Sequence, residues 1–168
     1  MPDKNTKGHE GRPDLTGEHR WGDAGQVVLI FLFLGVWMTD SFLFHYSNPL
    51  IDSINIYIRL VVAALVMIRG AILARSSLNI VFGEVRETPS VIRKGPFAKM
   101  RHPVYVAAML MYLALLLVDT TIASLCVFAV IVLFYYFLSR YEEKLLIERF
   151  GQDYVDYMKK VPMWISFK

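Results

Sequence analysis

The sequence holds a single cysteine, few charged residues for its length and no glycine-rich nucleotide-binding fingerprint, and each shortage removes a class of protein. One cysteine cannot form an intrachain disulfide. Cys126 also lies inside an apolar run, where the reactive thiolate is disfavoured, so it is expected to serve packing. Charged residues make up 20% of the chain against 55% hydrophobic ones, and the mean hydropathy of +0.42 is too high for a soluble domain of this size. With no G-x-G-x-x-G loop, a Rossmann-type dinucleotide site is not indicated. A cleavable signal peptide is not expected either, because the first apolar run begins late, is long and lacks a small-residue cleavage site. The 18 Lys and Arg residues leave a net charge of only +3. In so apolar a chain their uneven placement reports membrane orientation, not a nucleic-acid partner.

What is present is a series of apolar blocks of roughly 19 to 25 residues, the length a helix needs to cross about 30 Å of hydrocarbon. The expected fold is an all-α integral membrane bundle of about four transmembrane helices, at 26–44, 54–78, 104–118 and 120–138. These form one domain over 26–168 behind a polar, Gly- and Pro-containing tail at 1–25, in which His9 and His19 are expected to be solvated, not metal-bound. No metal site is expected. Asp40 falls near the far end of the first span, and Asn48-Pro49 marks the turn of a short loop at 45–52. Residues 104–138 contain one charge, Asp119, and a single helix of that length would measure about 52 Å, so the run must fold back. Asp119-Thr120-Thr121 is the natural turn, and the short first leg implies a tilted or partly sunken hairpin.

The second span carries three arginines. Arg59 and Arg75 lie near its ends and are expected to snorkel to head groups. Arg69 sits about 22 Å along the helix, where it either reaches the inner interface or faces a polar cavity, and Gly70 beside it permits a bend or close packing. Lys and Arg number four in the tail, six from Arg75 to Arg101 and six from Arg140 onward, with none in the 45–52 loop or at the hairpin tip. The positive-inside rule then puts both termini and both polar clusters in the cytoplasm, and a prokaryotic inner membrane is the expected setting.

Those clusters are Gly95 to Tyr105 and Glu142-Glu143, at the two inner ends of the hairpin. Pro103 suits the first position of a helix, where its missing N–H costs nothing. Arg101 and His102 then stand at a helix N-terminus, a place that favours an anion such as a carboxylate. Tyr105, Met109 and Tyr112 follow on one helical face, either as packing residues or as the wall of a binding space. Adjacent carboxylates on a helix point about 100° apart, so at most one of Glu142 and Glu143 is expected to face inward. An inward Glu142 would bind a cation or act as a base; the alternative is surface pairing with Arg140 or Lys144. Past Gly151, Tyr154, Tyr157 and Trp164 alternate with Lys159 and Lys160, as suits a membrane-surface segment.

The pattern G-P-F-x3-R-H-P-x-Y, followed by E-E-x2-L-x3-F-G-x2-Y-x2-Y-x3-V-P, runs from Gly95 to Tyr105 and from Glu142 to Pro162. It resembles the isoprenylcysteine carboxyl methyltransferase and phospholipid methyltransferase superfamily over roughly residues 89–162. The resemblance implies a membrane enzyme that uses S-adenosyl-L-methionine and methylates a lipophilic acceptor from the bilayer, most simply an isoprenylcysteine-like carboxylate or a membrane lipid, with no nucleic-acid partner. It also implies that Val91, Ile92, Phe97, His102, Pro103 and Tyr105 line the cofactor, with Glu142 at the cofactor and reaction centre. Arg140 and Arg101 join Glu142 as catalytic candidates. The family often has an arginine where this chain has Leu138, so Arg69 or Arg101 would have to engage an acceptor carboxylate, and many relatives have glycine at Ala107. Two alternatives remain: an NADPH-dependent membrane reductase of the sterol-reductase type, some of which also lack a glycine-rich loop, and a non-catalytic scaffold.

Overall fold

In the computed structural model the described residues are 20–44, 54–83 and 89–164. His9, His19, the 45–52 loop and most of the polar tail lie outside them. The described part is all helical: α1 (Arg20–Thr39), continued by a π-helical turn (Asp40–Phe44), α2 (Ile56–Phe82), a 3-10 turn (Gly95–Ala98), α3 (Pro103–Val118), α4 (Ile122–Phe150) and α5 (Gln152–Lys160). Three helical stretches, Ala24–Leu43, Ile56–Phe82 and Ile122–Phe150, are long and apolar enough to cross a membrane, and Pro103–Val118 is a shorter apolar helix. The membrane bundle therefore has the expected architecture. Helix α1 begins earlier than expected, within the polar stretch, and α2 runs a turn beyond residue 78.

The hairpin turns at Asp119, Thr120 and Thr121, as the isolated charge and the two β-branched residues suggest. Thr121 and Ser124 close a capping box, each side chain accepting from the other's backbone N–H, which satisfies two orphan donors where no water competes. At the end of α3 the exposed carbonyls also need donors. The carbonyl of Val118 accepts from the Arg59 guanidinium, and that of Asp119 accepts from Trp37 Nε1 at 2.9 Å. Arg59 thus serves as a cap for a neighbouring helix, where the sequence suggested only a snorkelling cation. Its charge also opposes the negative end of the α3 dipole.

Helices α2 and α3 pack along much of their length, whereas α3 and α4 meet more sparsely, through side chains. The reason for the first is Gly70, which is buried. A Cβ there would lie 3.2 Å from the Ala107 carbonyl oxygen and 3.3 Å from Leu110 Cβ. Lipid tails are as apolar as leucine, so helices gain little by burying it, and close backbone approach at small residues supplies the attraction. The other seam is filled by Tyr105, Tyr112, Leu116, Ile131, Tyr135 and Leu138, with Leu29 and Phe33 of α1 behind them.

By its length α4 would measure about 43 Å, and α3 about 24 Å. The longer helix therefore runs past its partner and carries the Glu142-Glu143 pair beyond the apolar layer. At Gly151 the backbone takes φ +57° and ψ −132°, a conformation few side chains tolerate. That glycine folds α5 back, so Tyr154, Tyr157 and Val161 pack with Val91, Leu146, Ile147 and Phe150. Replacing Gly70 by leucine is expected to force α2 from α3 and lower stability by about 1–3 kcal/mol, read as a fall in the unfolding temperature of detergent-purified protein.

Candidate active site

Pro103 opens α3 as its first residue, and His102 precedes it as the N-cap with no side-chain hydrogen bond to the helix. Its ring is instead committed across the hairpin. Nδ1 lies 3.4 Å from Glu142 Oε2, and Nε2 lies 3.2 Å from Glu143 Oε1. A neutral imidazole has one N–H and so leaves one carboxylate facing a lone pair; the imidazolium satisfies both. Burial lowers the pKa of His102, but hydrogen bonds and charge from Glu142 and Glu143 outweigh it, and the net displacement is upward from 6.5.

Glu143 is the inner carboxylate, with its side chain only 2% exposed. Arg101 Nε lies 2.8 Å from its Oε1, an ion pair by distance, although the N–H points out of line for a hydrogen bond. Arg101 Nη1 donates to the Met158 carbonyl at 3.1 Å. The second oxygen of Glu143 is buried with no hydrogen-bond donor among the described residues, and Arg140 Nη1 stands 3.8 Å from it. Glu142 is the outer carboxylate, 18% exposed, and its Oε1 accepts from the Tyr105 hydroxyl. The rings continue inward: His102 stacks on Tyr105 with centroids 5.6 Å apart, and Tyr105 stacks on Tyr135 at 5.0 Å.

A second layer holds the connection before α3 against α5. Tyr157 donates to the Phe97 carbonyl at 2.6 Å, and burial pushes its hydroxyl up to about 12 despite Arg101 and Arg93, so it remains a donor. Arg93 pairs with Asp153 at 2.6 Å. The amides of Arg101 and His102 donate to the carbonyls of Pro162 and Met163 at 3.0 and 3.1 Å. The two sequence clusters and the C-terminal segment therefore form one polar assembly at one end of the bundle.

Of the residues singled out from sequence, Arg101, His102, Tyr105 and Glu142 come together, with Pro103 buried beneath them. Val91 packs on the α5 layer, Phe97 lends its carbonyl to that layer, and Ile92 is half-buried beside them in sequence. Arg140 is 59% exposed and reaches the cluster from outside. Arg69 is exposed on α2 and forms no ion pair among the described residues. The expectation that one glutamate alone faces inward is corrected: both touch His102, because the ring presents a nitrogen to each. The missed residue is Glu143. Its signal lay in periodicity, since the buried stripe Ile131, Tyr135, Leu138 and Ser139 extends by one turn to Glu142 and Glu143. Tyr135 was missed for a different reason, as its contact to Tyr105 depends on how the hairpin closes.

Two outcomes follow from these charges. Glu143→Gln leaves Arg101 buried without a counter-charge and is expected to cost about 3–5 kcal/mol, measured by unfolding in detergent. The folded pKa of His102 is raised, so its stabilising contribution is complete below pH 6.5 and is lost as pH climbs through the folded value. Unfolding temperatures between pH 6 and 9, compared with those of His102→Gln, should show a decline with pH in the parent that is missing in the variant.

A model of the phospholipid methyltransferase family matches residues 55–153, more than half the chain. No curated protein and no solved structure matches it.

Proposed function

The chain belongs to the phospholipid methyltransferase family, and from that premise we propose that this membrane methyltransferase takes its methyl group from S-adenosyl-L-methionine and delivers it to the head group of a lipophilic acceptor in the bilayer. The observation that carries this reading is the cluster of Arg101, His102, Tyr105, Glu142 and Glu143 where α3 and α4 leave the apolar layer.

The residues present fit such a cofactor by their chemistry. The N-terminus of α3 that follows His102, which has no side-chain cap, suits the carboxylate of an amino acid through its free backbone N–H groups. Glu142, together with the donorless oxygen of Glu143, suits positive charge. Val91, Ile92 and Phe97 are the apolar candidates for its ring system. When bound, the cofactor supplies an electrophilic methyl group on a positively charged sulfur.

The chain's own work is alignment, since displacement at a methyl carbon requires a collinear approach. Tyr105 and His102 fix the Glu142 carboxylate from two sides. Thus held, Glu142 orients an incoming amine and accepts the proton that its nitrogen must lose. An amine-bearing lipid is the acceptor that the side chains favour. Arg101 is committed to Glu143 and Met158, Arg140 leans on Glu143 from outside, Arg69 is exposed, and buried Leu138 stands where relatives often have arginine. The isoprenylcysteine-like carboxylate expected from the motifs would have to draw Arg101 off a buried partner. We further propose that residues 26–168 act as one domain, with the cluster and both termini on the cytoplasmic side, on the strength of the Lys and Arg distribution.

The test is calorimetric titration of detergent-purified protein with S-adenosylhomocysteine, followed by labelled-methyl transfer to phosphatidylethanolamine vesicles and to a prenylcysteine. Binding is expected in the parent, with transfer to the amine lipid and a loss of about 10²-fold in kcat/KM for Glu142→Gln. Failure to bind S-adenosylhomocysteine, or full activity in Glu142→Gln, would overturn the assignment.

A further inference from the structure

Tyr112 buries a hydroxyl that has no hydrogen-bond partner among the described residues. The residue is 6% exposed, so solvent does not satisfy it. Other tyrosines near the polar end do better: Tyr105 donates to Glu142, and Tyr157 to the Phe97 carbonyl. An orphaned hydroxyl is costly inside a protein and has no water to turn to at membrane depth, while phenylalanine would fill the same space without that cost. The hydroxyl therefore calls for a ligand oxygen.

Its position says which one. Tyr112 lies seven residues after Tyr105 on the same face of α3, about 10 Å deeper along the helix. It shares a cluster with Phe33, Tyr105, Tyr135 and Leu138, and its ring meets Phe33 edge-on at 4.9 Å. This is the seam between α3 and α4 that side chains fill, not the one that Gly70 closes. An acceptor with its head group at Glu142 and its tail in this seam would bring to Tyr112 whatever group lies between head and tail.

We propose that Tyr112 donates a hydrogen bond to an ester carbonyl of the acceptor, so that the site selects acyl-linked lipids over acceptors whose tails are hydrocarbon alone. The inference rests on the proposed methyl transfer to a lipid head group. In an amine phospholipid the ester carbonyls follow the head amine by a phosphate and part of a glycerol, a separation of the same order as the distance from Tyr105 to Tyr112. A prenyl chain offers no oxygen at that depth, and an ether linkage offers only a weak acceptor.

The experiment compares the full-length parent and Tyr112→Phe in detergent micelles with a diacyl phosphatidylethanolamine and its dialkyl ether analogue. Unfolding temperature and methyl transfer are both read. Without lipid, the variant should unfold at the same temperature as the parent or higher, because it replaces an unpartnered hydroxyl. With the diacyl lipid it should lose most of the lipid-induced rise in unfolding temperature, and its KM should increase about 3- to 10-fold, a loss several times larger than with the ether lipid. Lower stability without lipid would mean that the hydroxyl has a structural partner, and equal losses for the two lipids would mean that the carbonyl is not read; either overturns the proposal. If the parent methylates neither lipid yet is stabilised by the diacyl form more than the variant is, the proposed reaction fails while the role of Tyr112 stands. If the diacyl lipid stabilises the parent no more than the variant, Tyr112 has no such role.

Discussion

One imidazole held between two neighbouring carboxylates organises the polar end of this protein. Glu142 and Glu143 leave α4 in directions about 100° apart, and a single partner can meet both only if it has donors on two edges and lies across the gap between them. His102 meets that requirement because Pro103 starts α3 immediately after it, leaving its ring free of helical constraint. The arrangement also balances charge. With His102 protonated, Arg101 and His102 offset Glu142 and Glu143, so a largely buried group of four ionisable side chains carries no net charge. Removing any one member leaves an imbalance in a place where an imbalance is expensive.

The two carboxylates are not equivalent, and the difference separates holding from reacting. Glu143 is the deeper, and it ties Arg101 and His102, hence the start of α3, to α4. Glu142 is partly open and is fixed by Tyr105 and His102 while keeping a side toward the exterior of the cluster. A group that meets substrate must be both exposed and immobile, and the stacked rings of His102, Tyr105 and Tyr135 provide the immobility at modest entropic cost.

Much of the bundle could be read from the sequence because membrane insertion acts on composition and length, which are local. The hairpin turn followed from one charge in a long apolar run, and the start of α3 followed from Pro103. The inner position of Glu143 required extending a buried stripe past the membrane edge, where polarity suggested a solvated helix. Arg59 shows the opposite difficulty: its spacing suggested the interface, but its guanidinium caps the Val118 carbonyl at the end of α3, a contact between residues 59 apart in the chain. The contacts of α5 were least visible, since Tyr157 to Phe97 and Arg93 to Asp153 each join residues 60 apart in the chain. Only the backbone reversal at Gly151 makes them neighbours, and a glycine in sequence does not announce the direction of the turn.

Stability and chemistry are therefore joined at this end of the molecule. In a bilayer the helices gain little from apolar burial against one another, so each seam needs its own fastener. Between α2 and α3 the fastener is steric, the close approach at Gly70 and Ala107. Between α3 and α4 there is no comparable backbone approach; the hairpin is closed at one end by the short turn at 119–121 and at the other by the Arg101, His102, Glu142 and Glu143 cluster. The middle holds rings, which can give way to a tail more readily than interlocked backbones can. A hairpin pinned at both ends and yielding between them suits an acceptor that comes in sideways from lipid while its head group is held in register with the fixed carboxylate.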